Sequence, residues 1–154
     1  MKLKIEIPQI EDWKRVNELA RQVQEIHVQW RPDLFVSVEN VISQEDFERF
    51  VEDKEIVVAK IKDEIVGYMM FNIKELIRIT MRYRKQLAIE VICVDEKCRG
   101  KGIGTALLEY AKKIGKENNC TDIYLTVNEE NEGAIKLYER FGLKVKNVAY
   151  SMEI

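Results

Sequence analysis

Leu87-Ala88-Ile89-Glu90-Val91-Ile92-Cys93-Val94, followed four residues later by Arg99-Gly100-Lys101-Gly102-Ile103-Gly104, is the stretch whose reading decides the fold. The first run is apolar except for Glu90 and rich in β-branched residues, the pattern of a strand buried on both faces. Behind the glycines, Ala106, Leu107, Leu108, Tyr110, Ala111 and Ile114 recur at helical spacing. The glycines therefore sit where a strand hands over to a helix. The first turn of a helix has N–H groups without internal partners, and the helix dipole puts partial positive charge there. Glycine lets a phosphate reach the backbone with no Cβ in the way, and Arg99 and Lys101 add full charges. The chemistry of this junction suits a pyrophosphate.

Two common phosphate loops do not fit. In G-x-G-x-x-G the last glycine would fall at Thr105, and no Gly-Lys-Ser/Thr stands at the spacing of a Walker A loop. Arg-x-x-Gly-x-Gly between a strand and a helix does fit. Downstream stands Asn128-x-x-Asn131-x-x-Ala134-x-x-x-Tyr138-x-x-x-Gly142. Together these motifs resemble the GNAT N-acetyltransferases, and they cover Leu87 to about Val145. The order of elements resembles that family over nearly the whole chain, whereas the first 85 residues carry no specific motif.

The resemblance implies transfer of the acetyl group of acetyl-CoA to an amine. The pantetheine arm would lie in a splay between the strands ending at Val94 and Val127, bonded to main-chain groups of Ile92 and Val94 as an added strand, with Cys93 between them. The backbone of Arg99, Gly100, Lys101, Gly102, Ile103, Gly104 and Thr105 would take the pyrophosphate. Asn131 would contact the coenzyme arm, and Tyr138 would sit near its sulfur as general acid. Main-chain N–H near Val94 is the candidate oxyanion donor. The alternative for Tyr138 is an aromatic on the core face of a helix.

Glu90 interrupts an apolar run, and a carboxylate there is costly without a partner or solvent. By resemblance it is a catalytic base acting through water or an ammonium anchor. The alternative is an ion pair with a lysine or arginine of the basic segment before it. His27, the only histidine, ends an apolar helical stripe. It is either a locally bonded, half-buried residue or a substrate contact and proton shuttle. Trp30 and Phe35 flank Pro32 in a segment that, by the resemblance, lines the acceptor side; otherwise they plug the core.

Composition bounds the rest. A chain of 154 residues, 46% apolar and 34% charged, suits one soluble globular domain spanning 1–154. A formal net charge of −2 gives no basic footprint for nucleic acid. No apolar run approaches the ~20 residues of a membrane span. The start, Met1-Lys2-Leu3-Lys4, lacks a signal-peptide core, so a cytoplasmic location is expected. Three cysteines, Cys93, Cys98 and Cys120, lack metal-ligand spacing, and no metal is expected.

The spacing predicts a strand at Leu3 to Ile7, a helix from Ile10 to about Val28, and a helix starting near Ser43. Strands are predicted over Lys54–Ile61 and Glu64–Ile73, turning at Lys62-Asp63. Lys74 to Gln86 reads equally as a strand extension, a short helix or a mobile loop. A helix then runs from the glycine loop to about Asn118, a strand through Ile123, Leu125 and Val127, and a helix capped by Asn131 and closed by Gly142. Leu143 to Ile154 alternates loosely as a last strand or strands. The expected fold is α/β of the α+β kind, in the order βααβββαβαβ. Its sheet is mixed and mostly antiparallel around a central, splayed parallel pair, with helices on both faces.

The leading expectation is an acetyl-CoA-dependent N-acetyltransferase acting on an amine of a small molecule or peptide, by direct attack in a ternary complex. Its rivals are a protein N-terminal or lysine acetyltransferase and a non-catalytic acyl-CoA sensor. A homodimer is implied only as a family tendency.

Overall fold

A computed structural model describes residues 2–154. The chain runs β1 (Leu3–Glu6), a 3₁₀ turn (Ile10–Asp12), α1 (Trp13–Trp30), α2 (Gln44–Glu52), β2 (Ile56–Ile61), β3 (Glu64–Leu76) and β4 (Arg84–Val94). A second 3₁₀ turn (Glu96–Cys98), α3 (Ile103–Glu117), β5 (Asp122–Leu125) and α4 (Glu132–Phe141) follow. The strands form one sheet in the order β1-β2-β3-β4-β5. Every neighbouring pair is antiparallel except β4 and β5, which are parallel.

Both faces are covered, as the apolar strands require. On one face Leu87 and Ile89 of β4 pack with Leu107, Leu108 and Ala111 of α3 and Tyr138 of α4. On the other, Ile56 and Val58 of β2 and Tyr68 of β3 pack with Val16 and Leu19 of α1 and Phe47 of α2. Local chemistry sets the helix ends. The Ser43 hydroxyl accepts from the Asp46 N–H at 3.0 Å, the Asn131 side chain accepts from the Ala134 N–H at 3.2 Å, and Gly142 closes α4 at φ +115°.

Glu90 marks a bulge. Met70 faces Val91 and Phe71 faces Ile89, so Glu90 is the residue without a partner across the ladder. The extra residue flips the alternation. Leu87 and Ile89 face α3 before it, and Ile92 and Val94 still face α3 after it, while Cys93 turns to α1. A polar residue in an apolar run here marks the place where the strand changes step.

Three sequence expectations need correction or completion. The segment 74–86 is a strand extension: Lys74, Glu75 and Leu76 pair with Gln86, Lys85 and Arg84, leaving 77–83 as the turn. The strand expected through Val127 stops at Leu125, because its pairing with β4 ends at Ile89 opposite Leu125. The last strand expected over 143–154 is not formed, so the final β of the expected order is absent. The alternation of Val148, Tyr150, Met152 and Ile154 is real, yet all four side chains are exposed. A strand needs a ladder as well as a pattern, and a groove of about 950 Å³ lies between β5 and residues 143–149. The parallel pair therefore stands at one edge of the sheet and not at its centre.

Candidate active site

The site begins where β4 and β5 part. Their parallel pairing covers only Gln86 to Ile89 against Asp122 to Leu125. Beyond Ile89, β4 continues to Val94 paired with β3 alone. The Asp95 N–H donates to the Val66 carbonyl across that ladder at 2.8 Å. Successive main-chain groups of a strand face opposite edges, so the amides and carbonyls of Val94 and Ile92 face the open side. The Arg99 Nε donates to the Val94 carbonyl at 3.4 Å on that side.

The glycine loop lies directly past this edge. Gly100 and Gly102 have φ of +78° and +79°, a left-handed conformation that side chains with a Cβ resist. A Cβ built on either would meet nothing within 4 Å, so the space over the loop is open. Gly102 is the N-cap of α3, and its carbonyl accepts the first helical bond from the Ala106 N–H at 3.0 Å. The remaining N–H groups of the first turn face outward without helical partners.

A part-buried ion pair holds the turn before the loop to α1. Asp95 is 6% exposed and accepts from Arg15 Nη2 at 2.5 Å, Gln22 Nε2 at 3.3 Å and the Lys97 N–H at 3.2 Å. Gln22 Oε1 in turn accepts from the Glu96 N–H at 3.2 Å. Burial alone would raise the Asp95 carboxyl, but the Lys97 N–H and Arg15 outweigh it and hold it below the usual carboxylate range. The helix bearing His27 and Trp30 and the turn leading into the glycines are thereby fastened together.

One cavity of about 410 Å³ joins these parts. From β4 it takes Ile92, Cys93 and Val94, and from the loop Arg99, Gly100, Gly102, Ile103, Gly104 and Thr105. From α4 and its cap it takes Asn131 and Tyr138, and from α1 His27 and Trp30. Lys101 does not line it, nor does Phe35, whose ring lies against His27 with centroids 5.1 Å apart. Glu90 lies outside it as well. Its carboxylate is half exposed and accepts from Asn72 Nδ2 at 3.1 Å and Lys74 Nζ at 3.4 Å. The partner is thus a lysine of the segment beginning at Lys74.

The cavity is also lined by Cys98 and the motif residue Ala134, and by residues given no site role from sequence: Val23 and Ile26 of α1, and Gly133, Leu137 and Arg140 of α4. Val23, Ile26 and Leu137 read as ordinary helical core, and nothing in their spacing distinguishes core from cavity wall. Burial pushes the Tyr138 phenol and the Cys93 thiol each up to about 12, so both are protonated at neutral pH. Burial also lowers the His27 imidazole below its ordinary value.

Gly67 of β3 is where β4 comes closest. A Cβ there would lie 2.8 Å from the Cys93 carbonyl oxygen and 3.4 Å from Ile103 Cγ2. Gly67→Ala is therefore expected to destabilise the fold by about 1–3 kcal/mol, seen as a lower midpoint in urea unfolding. An unchanged midpoint would show that the strands yield at no cost.

The mixed sheet thus opens at its parallel pair beside a helix capped by Gly102. The chain belongs to the Acetyltransferase (GNAT) family, whose model matches residues 18–143. An N-alpha-acetyltransferase of Sulfurisphaera tokodaii is 38% identical over 95 residues, covering 56% of this chain and 54% of that protein. One from Saccharolobus solfataricus is 39% identical over 95 residues, with the same coverage of 56% and 54%. The chain spans about half the length of these curated relatives. A crystallised mutant of the BH1408 protein from Bacillus halodurans superposes with a TM-score of 0.91 at 27% identity, over 100% of this chain and 99% of that one. Among the described residues no helix is long and apolar enough to cross a membrane.

Proposed function

We propose that the chain moves the acetyl group of acetyl-CoA to a primary amine of a small molecule or peptide by direct attack in a ternary complex. The observation that carries this reading is the continuity of one cavity from the unpaired edge of β4 to the glycine loop. An extended arm bearing amides fits the edge at Ile92 and Val94, because strand addition satisfies main-chain groups that no neighbouring strand pairs. A diphosphate fits the loop, because Gly100 and Gly102 leave space over outward N–H groups beside Arg99. Acetyl-CoA has both parts, and the family generally uses it.

The chemistry then falls to residues of the cavity wall. The amine must arrive without its third proton, since an ammonium has no lone pair. The thioester oxygen gains negative charge, and the Val94 N–H at the open edge is the donor placed to receive it. The departing sulfur needs a proton, and Tyr138 is the protonated acid in the cavity. Asn131 holds the start of α4, and with it Tyr138, in position.

A peptide amine as acceptor has its own support. The Sulfurisphaera and Saccharolobus relatives are named for acetylation of α-amino groups. The test is coenzyme A release with polyamines, amino sugars and short peptides as acceptors. Turnover on some amine is expected. Tight acetyl-CoA binding with no release on any amine would favour a non-catalytic sensor, and no binding would reject the reading.

A further inference from the structure

The transfer reading leaves one step without a residue: removal of the proton from the incoming ammonium. Glu90, the carboxylate suggested by the sequence, is engaged by Lys74 and Asn72 outside the cavity. His27 is inside it, one turn from the end of α1. Its ring is held on two sides, by Phe35 at 5.1 Å with planes 29° apart and by Trp30 at 5.7 Å with planes 50° apart. Among the described residues neither ring nitrogen has a hydrogen-bond partner, and neither is sealed away from solvent. An imidazole fixed in orientation by aromatic faces, with both nitrogens free, on the wall of a cavity shared with Val94 and Tyr138, is built to exchange a proton.

We infer that His27 is the general base of the transfer, a step that rests on the acetyl-transfer reading above. The balance is as follows. One imidazole nitrogen takes a proton from the bound ammonium and becomes imidazolium. The freed amine attacks the thioester carbon, so a C–N bond forms and the C–S bond breaks. The departing sulfur takes the Tyr138 proton, and the second proton lost by the nitrogen returns to the phenolate. His27 then gives its proton to water. The net products are the amide, the free thiol and one proton.

The charges around His27 allow this. Arg31 at the end of α1 is closed onto Asp33 by bonds of 2.9 and 2.8 Å, with Glu130 and Glu153 beyond it. Glu25 of α1 is bonded to Ser37 at 3.0 Å. Asp95 is taken by Arg15. The wall itself adds Arg99, Arg140 and Cys98, together with Cys93 and Tyr138, which stay neutral up to about 12. Burial therefore decides the sign: the ring stays unprotonated to a lower pH than free histidine, about 6.5. The base is available at neutral pH and is lost as pH falls through the lowered value.

Because the chain has one histidine, the test is clean. In an untagged protein, NMR titration of the single imidazole should give a midpoint below 6.5 that matches the acid limb of kcat/KM. His27→Gln should remove that limb and lower kcat/KM about 100-fold, with acetyl-CoA affinity unchanged. His27→Ala should recover rate with added imidazole. Glu90→Gln should keep the limb. If the wild type turns over and the limb persists in His27→Gln, vanishes in Glu90→Gln, or differs from the NMR midpoint, the base assignment is overturned alone. If the wild type releases no coenzyme A with any amine, the transfer reading falls first and the base assignment with it. Should His27→Gln not fold, the match between NMR and kinetic midpoints decides.

Discussion

Tyr138→Phe is expected to lower kcat by about 100-fold or more while leaving acetyl-CoA affinity within about twofold. The side chain is 8% exposed at the meeting of α4 with the sheet, and it lines the cavity. Its hydroxyl makes no hydrogen bond within the chain among the described residues, so removing it breaks nothing in the resting fold. Phenylalanine fills the same volume, and stability should hold within about 0.5 kcal/mol. What disappears is the proton. A phenol pushed up to about 12 is a weaker acid than a thiol in water, near 8.5. The same burial raises the departing thiolate, which narrows the gap where transfer occurs. The loss should therefore appear in kcat and not in coenzyme binding, the split that marks an interaction made only in the transition state. Stopped-flow or thiol-trapping measurements of coenzyme A release on both proteins check it. An unchanged kcat would mean that water protonates the sulfur and that Tyr138 is core.

Which parts of this site were legible beforehand follows from where the chemistry is local. The glycine loop announces itself because positive φ demands glycine at Gly100 and Gly102, and residue type is what a sequence displays. The caps at Ser43, Asn131 and Gly142 are legible for the same reason. Pairing is different. Whether 74–86 continues a ladder depends on what stands across from it, and the alternation over 143–154 promised a strand that no partner completes. Glu90 shows the limit most clearly. Its oddness in an apolar run was visible, but the cause, a one-residue slip against β3 with an exit to Lys74, exists only in the pairing. His27 was ambiguous because a helical stripe does not say whether it faces a core or a cavity, and Lys101 sat in the motif yet does not line the cavity.

Gly102→Val is expected to weaken acetyl-CoA binding by about 10- to 100-fold, the loss of one hydrogen bond to a charged oxygen at about 1.5–3 kcal/mol. Two effects act together. A β-branched residue resists φ +79°, and left-handed backbone costs such residues at least 1–2 kcal/mol. The loop either relaxes, turning its N–H groups away from the phosphates, or keeps its shape under strain. If it keeps its shape, the new side chain stands in space that is open in this chain, the space a diphosphate would enter. Both routes reduce affinity, and the second, which keeps the strain, lowers the unfolding midpoint more, so urea unfolding beside calorimetry separates them. Lys101→Ala supplies the contrast. That side chain is outside the cavity, so it acts only as a nearby charge, and its smaller effect should fade as salt rises. The Gly102→Val deficit should persist in salt, because it arises from backbone shape. Equal acetyl-CoA affinity for Gly102→Val and the parent chain would place the diphosphate elsewhere, since no shape change at the N-cap of α3 could then matter to it.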